Sequence, residues 1–118
     1  MAENKELLKL ITKEMLRLGV PAHLKGYHYL RTSIENCIQD PQVVTSVTKL
    51  LYPDIAKQYN TSISVVERGI RTVIGSSWKR GDTSFQEEVF GYSSLDSEYR
   101  PTNSEFIAGL AYYIHLNN

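Results

Sequence analysis

Glu67, Arg68 and Arg71 fall within five residues of one another in a segment whose apolar positions recur every three to four residues. On a helix that spacing brings them to a shared face. A guanidinium can pair bidentately with guanine, and a carboxylate can accept from the cytosine amino group. The natural target of such a face is therefore the floor of a major groove. Ser64 and Thr72 extend the face by a turn in each direction and complete the candidate base-contacting set. Lys79 and Arg80 at the far end, and Lys49, Lys57, Thr61 and Ser62 at the near end, could hold phosphates. Two other roles compete. Ser64-Val65-Val66-Glu67 has the spacing of a capping box, which would occupy the carboxylate locally. A pair of arginines can also be no more than a solvated helix face.

The element that must carry these groups spans Tyr52 to Thr72, about the 20 residues of a helix-turn-helix unit. Ile55 and Tyr59 are its inward positions on the first helix, and Ala56 is small enough for two helices to cross closely. Asn60 stands at the turn, where a left-handed backbone is needed and asparagine tolerates it. Val66 and Ile70 anchor the second helix in the core. That register turns Ser64, Glu67, Arg68 and Arg71 outward, with Thr72 and Gly75 oblique. The spacing also occurs in plain helical hairpins, so by itself it leaves DNA binding open.

Around this unit the hydrophobic periodicity predicts further helices. One carries Leu7, Leu8, Ile11, Met15 and Leu18, with Gly19 at its stop. A second runs from about Leu24 to Ile38, and a third, short one from about Pro41 to Leu50. The unit itself gives helices from about Pro53 to Tyr59 and from about Ser64 to Lys79. A short piece spans Phe85 to Phe90, and an irregular stretch runs from Gly91 to Arg100. The last helix opens on Thr102-Asn103-Ser104-Glu105, which has capping-box spacing, and continues through Ile114. No alternating strand pattern is present. The expected fold is all-α, a compact bundle of about six helices around a central helix-turn-helix, with residues 1–118 as a single domain.

Charge is distributed unevenly. Thirteen Lys and Arg balance thirteen Asp and Glu over the 118 residues. Residues 41–81 nevertheless carry six basic groups against two acids, and residues 82–118 carry one against six. A neutral total can thus present a basic face to an anionic partner. Hydrophobic residues make up 42% and charged residues 22%, which excludes a disordered tail. No apolar run approaches the roughly 18 residues of a membrane span, and the polar start is not a signal peptide. The single cysteine, Cys37, cannot form an internal disulfide and lies on an apolar stripe with Ile34 and Ile38, so a buried thiol is expected. The expected compartment is the cytoplasm. His23, His28 and His115 lack ligand spacing, so no metal and no cofactor is expected. Trp78 reads as a plug between helices. Asp54 and Asp96 form no fixed acid pair, and no enzymatic chemistry is indicated.

Four strings then carry a resemblance: Gly19-Val-Pro-Ala-His-Leu-Lys-Gly-Tyr27, Ser46-Val-Thr-Lys-Leu-Leu-Tyr-Pro-Asp-Ile-Ala-Lys57, Val66-Glu-Arg-Gly-Ile-Arg71 and Pro101-Thr-Asn-Ser-Glu-Phe-Ile107. In this order the chain resembles, over about residues 10 to 115, the C-terminal effector domain of the stage zero sporulation protein A family of response-regulator transcription factors. The resemblance implies six helices with a central helix-turn-helix, and binding to DNA boxes with a TGTCGAA-like core, often in tandem. It also implies activation or repression of transcription. Its recognition helix matches Ser64 to about Trp78, with Glu67, Arg68 and Arg71 at DNA-contacting positions. Val65 stands where the family commonly has a basic residue and Thr72 where it commonly has histidine. Family members usually carry an N-terminal phosphoacceptor receiver, which these 118 residues lack. The chain is then either a stand-alone protein or a piece excised from a longer one. Because the family's final helices help pair domains on adjacent boxes, Phe106, Leu110 and Tyr113 are the expected dimer contacts.

The expected partners are double-stranded DNA, RNA polymerase and a second copy on tandem sites, with no membrane. The rival expectation is an interaction module that kept the fold, lost DNA binding and antagonises a related full-length regulator.

Overall fold

A computed structural model describes residues 2–117, with side chains from residue 5 onward. Among them are six α-helices and no strand: α1 (Ala2–Arg17), α2 (Lys25–Gln39), α3 (Tyr52–Gln58), α4 (Ile63–Arg80), α5 (Thr83–Phe90) and α6 (Asn103–Leu116). The fold class is the expected one. Helix α2 is the hub, packed against α1, α4 and α6. It buries Tyr27, Tyr29, Leu30, Ile34 and Cys37 along one side. Against it close Ile11, Met15 and Leu18 of α1, Ile55 of α3, Val66, Ile70 and Val73 of α4, and Phe106, Ile107 and Leu110 of α6. The Cα radius of gyration, 13.2 Å, is close to the ~13.5 Å expected of a folded chain this long.

The third helix foreseen over Pro41 to Leu50 does not form as an α-helix. A 3-10 segment, Pro41–Ser46, is followed by a π-type turn, Val47–Leu51, that runs directly into α3. The Asp40 carboxylate starts the 3-10 segment by accepting from the Gln42 N–H at 3.3 Å. The physical reason for the departure lies in the residues. Val43, Val44, Thr45, Val47 and Thr48 are β-branched and lose side-chain freedom against a preceding helical turn. Val43 and Val44 pack half-buried against the core, while Val47 and Leu51 are fully buried, set four residues apart on the inner side by the π turn.

Other boundaries moved by a residue or two, with visible causes. Asp82 caps α5 by accepting from the N–H groups of Ser84 and Phe85 at 2.9 and 3.2 Å, which starts that helix at Thr83. At α6 the capping box is complete. Thr102 Oγ1 accepts from the Glu105 N–H at 3.2 Å, and Glu105 Oε1 accepts from the Thr102 N–H at 2.9 Å. The Thr102 N–H, helped by the Tyr99 hydroxyl, holds the Glu105 carboxyl below its ordinary range. Trp78 is buried as a plug between Phe90 and Tyr92.

Candidate nucleic-acid interface

Helices α3 and α4 are joined by four residues, Tyr59 to Ser62. Asn60 adopts φ +52°, the left-handed conformation expected at the turn. Ile55, Ala56, Val66 and Ile70 are all buried and Tyr59 is half-buried. The inward register read from the apolar spacing is the observed one. It follows that the opposite side of α4 faces solvent. Ser64, Arg68, Arg71 and Thr72 are exposed there, and Glu67 is partly so.

The N-terminal cap of α4 is Ser62, not Ser64. Ser62 Oγ accepts from the Val65 N–H at 3.2 Å and lies 3.2 Å from Ser64 Oγ. The Ser64–Glu67 capping box is therefore not built, because the helix begins one residue earlier, at Ile63. Glu67 instead pairs with Arg71 one turn ahead. Arg68 has no carboxylate partner among the described residues. Thr61 is half-buried, and Lys49, Lys57, Lys79 and Arg80 are exposed around the two ends of α4 and on α3 and the turn before it.

What holds α4 in place was only partly legible. Helices α2 and α4 cross backbone to backbone: a Cβ on Gly26 would sit 2.1 Å from the Gly69 carbonyl oxygen. Only glycine permits that approach. It brings Lys25, at the start of α2, into the same groove as Arg68 and Thr72. On the other flank, the Asn103 side-chain amide donates to Tyr52 Oη at 2.9 Å and to the Glu67 carbonyl at 3.0 Å. One residue thus ties the first turn of α6 to the start of α3 and the middle of α4. Burial pushes the Tyr52 phenol above its ordinary range, so it stays neutral in that network. Lys25, Asn103 and Arg100, which lies across Gly75, were not foreseen as parts of this surface. Gly75 itself, expected oblique to solvent, is buried. The signal available for Lys25 and Asn103 was their place inside the recognised strings.

The residues expected as dimer contacts lie on the inner side of α6 within the single chain. Phe106 and Leu110 are fully buried in the core, and Tyr113 is half-buried, edge-on to Phe85 and bonded to Glu88. Phe106 and Tyr113 turn toward α5, where their rings meet Phe90 and Phe85. The apolar residues α6 leaves in solvent are Tyr112 and Leu116.

Cys37 is buried, and desolvation, with a smaller push from Asp40, raises its thiol to about 11. Its thiolate is therefore scarce at neutral pH. Asp54 sits in the first turn of α3. Asp96 accepts from the Ser93 N–H at 3.0 Å. No cluster of three or more His, Cys, Asp or Glu stands together among the described residues. No described helix is long and apolar enough to cross a membrane.

Comparison with known families gives this surface its context. The family model described as sporulation initiation factor Spo0A C terminal matches residues 11–114. The match takes in α2 to α5 whole, with the turn between α3 and α4, and most of the core-facing parts of α1 and α6. The chain belongs to the Spo0A C-terminal family, the DNA-binding domain of a sporulation transcription regulator.

Proposed function

We propose that this protein is a sequence-specific transcription regulator that inserts the N-terminal half of α4 into the major groove of duplex DNA. The observation that carries the reading is the two-sidedness of α4. One side is sealed in the core by Val66, Ile70, Val73 and Ile74, while Arg68 and Arg71 stand on the other in solvent. Arg68, with no carboxylate partner among the described residues, is the lead base contact, in bidentate geometry to guanine. Arg71 joins it once Glu67 turns to a cytosine amino group. Ser64 and Thr72 flank them. Lys49, Lys57, Thr61, Lys79 and Arg80 meet phosphates on either side. Ser62 contributes through its cap, which aims the positive end of the α4 dipole at the duplex. Regulation follows from recruiting or blocking RNA polymerase in the cytoplasm. Two copies on tandem boxes would meet through the outward face of α6 at Tyr112 and Leu116.

The test is fluorescence anisotropy on a TGTCGAA-containing duplex and a scrambled one over a range of salt. Binding that neutralises Z phosphates gives a log–log slope of about −0.9Z. Arg68→Ala is expected to lose roughly 1–3 kcal/mol on the matched duplex and much less on the scrambled one. Equal losses on both would overturn the base contact, and a flat salt response would overturn the interface. Co-purification with a related full-length regulator, without affinity for DNA at low salt, would select the antagonist reading instead.

A further inference from the structure

We propose that Arg100 is a phosphate-binding residue of the DNA interface, supplied to α4 from the loop before α6 and seated where Gly75 has no side chain. The inference rests on the duplex-binding reading above and adds a residue that lies outside the helix-turn-helix unit. A Cβ placed on Gly75 would come within 1.9 Å of Arg100 Nη1 and 3.0 Å of its Cζ. The guanidinium therefore lies on the α4 backbone itself. Residues 67, 71, 75 and 79 stand one turn apart along one side of the helix. At the third of these positions the helix has no side chain, and Arg100 fills the place. The column then reads Glu67, Arg71, the Arg100 guanidinium and Lys79, so a gap in the charged row is closed from another element.

Three further observations favour a contact rather than a structural strut. Arg100 is exposed, and no carboxylate pairs with it among the described residues. It lines the same groove as Glu67, Arg71 and Asn103. Its backbone is also held. Pro101 is buried directly after it, and Asn103, three residues on, is bonded to Glu67 and Tyr52. Arg100 is the only Lys or Arg between positions 82 and 118, where six acids lie, and the fold delivers it to the basic helix. Its chemistry suits a phosphate, which a planar guanidinium can grip through two donors. Gly75 lies seven residues beyond Arg68, about 10 Å along the axis at 1.5 Å per residue. With Arg68 against base edges, that distance puts the guanidinium at the rim of the groove, where the backbone runs.

The experiment compares wild type, Arg100→Ala and Gly75→Ala by anisotropy on matched and scrambled duplexes across a salt series, with thermal unfolding measured alongside. Arg100→Ala is expected to weaken both duplexes alike, roughly tenfold at low salt, and to flatten the salt slope by about 0.9. Gly75→Ala leaves Arg100 in the chain but puts a methyl group where its guanidinium rests. It is expected to reproduce the loss of affinity while its melting temperature stays level or rises, since alanine favours a helix over glycine. Wild-type binding with Arg100→Ala unchanged in affinity and slope would overturn the proposal and leave the duplex-binding reading standing. So would a Gly75→Ala protein that binds like wild type, or an Arg100→Ala loss confined to the matched duplex. A wild-type protein without affinity for either duplex would overturn both.

Discussion

Helices α4 and α6 lean on the same helix, α2, and each buries an apolar stripe, yet their outward faces differ in kind. Outward from α4 stand Ser64, Arg68, Arg71, Thr72, Lys79 and Arg80. Outward from the C-terminal half of α6 stand Tyr112, His115 and Leu116. The first face suits a polyanion and the second a neutral, partly apolar surface. Their anchoring differs as well. Helix α4 meets α2 at bare backbone, glycine on glycine, whereas α6 enters the core through the large side chains of Phe106, Ile107 and Leu110. Close backbone contact holds the charged helix in one position along α2. Bulky side chains supply much of the hydrophobic stability on which that placement depends.

The largest way to break this comparison is to reverse the two faces of α6. Phe106→Ala is expected to cost about 3–5 kcal/mol of folding stability, since it empties a fully buried aromatic site. Tyr112→Ala, on the solvent side, is expected to cost within about 0.5 kcal/mol. Urea unfolding of the two variants decides the matter. A destabilised Tyr112→Ala beside a stable Phe106→Ala would invert the assignment and restore Phe106 as a surface contact.

Why α4 could be read from the sequence and α6 could not follows from the contrast along each helix. In α4, Glu67, Arg68 and Arg71 alternate with Val66, Ile70 and Val73, so charge declares the outward side. In α6, the run Phe106-Ile-Ala-Gly-Leu-Ala-Tyr-Tyr-Ile114 is almost wholly apolar, and its direction is set only by what packs against it. The six helices and the turn at Asn60 were legible because capping and turn residues mark them. The 3-10 and π segments over Pro41 to Leu51 were not, because helical spacing of apolar residues does not report the cost of packing β-branched neighbours. Arg100 was illegible for a different reason. It lies 25 positions from Gly75, and only the chain's path brings them together.

Asn103 is where the two helices are joined, and its removal sharpens the comparison next. Asn103→Ala takes the donor from Tyr52 Oη and from the Glu67 carbonyl at once. The expected loss is about 1–3 kcal/mol of stability, the penalty for leaving partly buried polar groups unpaired. Because the same amide positions α4, DNA affinity is expected to fall as well, under conditions where the variant remains folded. Thermal unfolding together with anisotropy on the matched duplex checks this. Affinity equal to wild type would mean that α2 alone holds α4 in place.

The two caps come after it. Thr102→Ala at α6 and Ser62→Ala at α4 each remove a side-chain acceptor from a first-turn N–H. Each is expected to cost about 1 kcal/mol. Their effects on DNA should separate. Ser62 lies at the interface, so its loss lowers affinity as well as stability, whereas Thr102→Ala lowers stability only. Parallel melting and binding curves would show whether the asymmetry holds.

The smallest effect on stability and the subtlest on function belong to Glu67. Its ion pair with Arg71 is exposed and spaced i,i+4, with the acid on the N-terminal side, an arrangement that contributes about 0.3–0.5 kcal/mol. Glu67→Gln should therefore leave unfolding nearly unchanged. On DNA the same change acts through charge. A carboxylate facing phosphates repels them, and while paired it also restrains Arg71. Neutralising it is expected to raise affinity for the scrambled duplex, because one repulsive group is gone and one guanidinium is released. Affinity for the matched duplex should gain less, because the amide is a poorer acceptor for a cytosine amino group. The ratio between matched and scrambled binding is thus expected to shrink while both affinities hold or rise. A lower affinity on the scrambled duplex would mean that Glu67 serves mainly to hold Arg71 in position, and the outward face of α4 would then depend on that pair for its geometry as well as its charge.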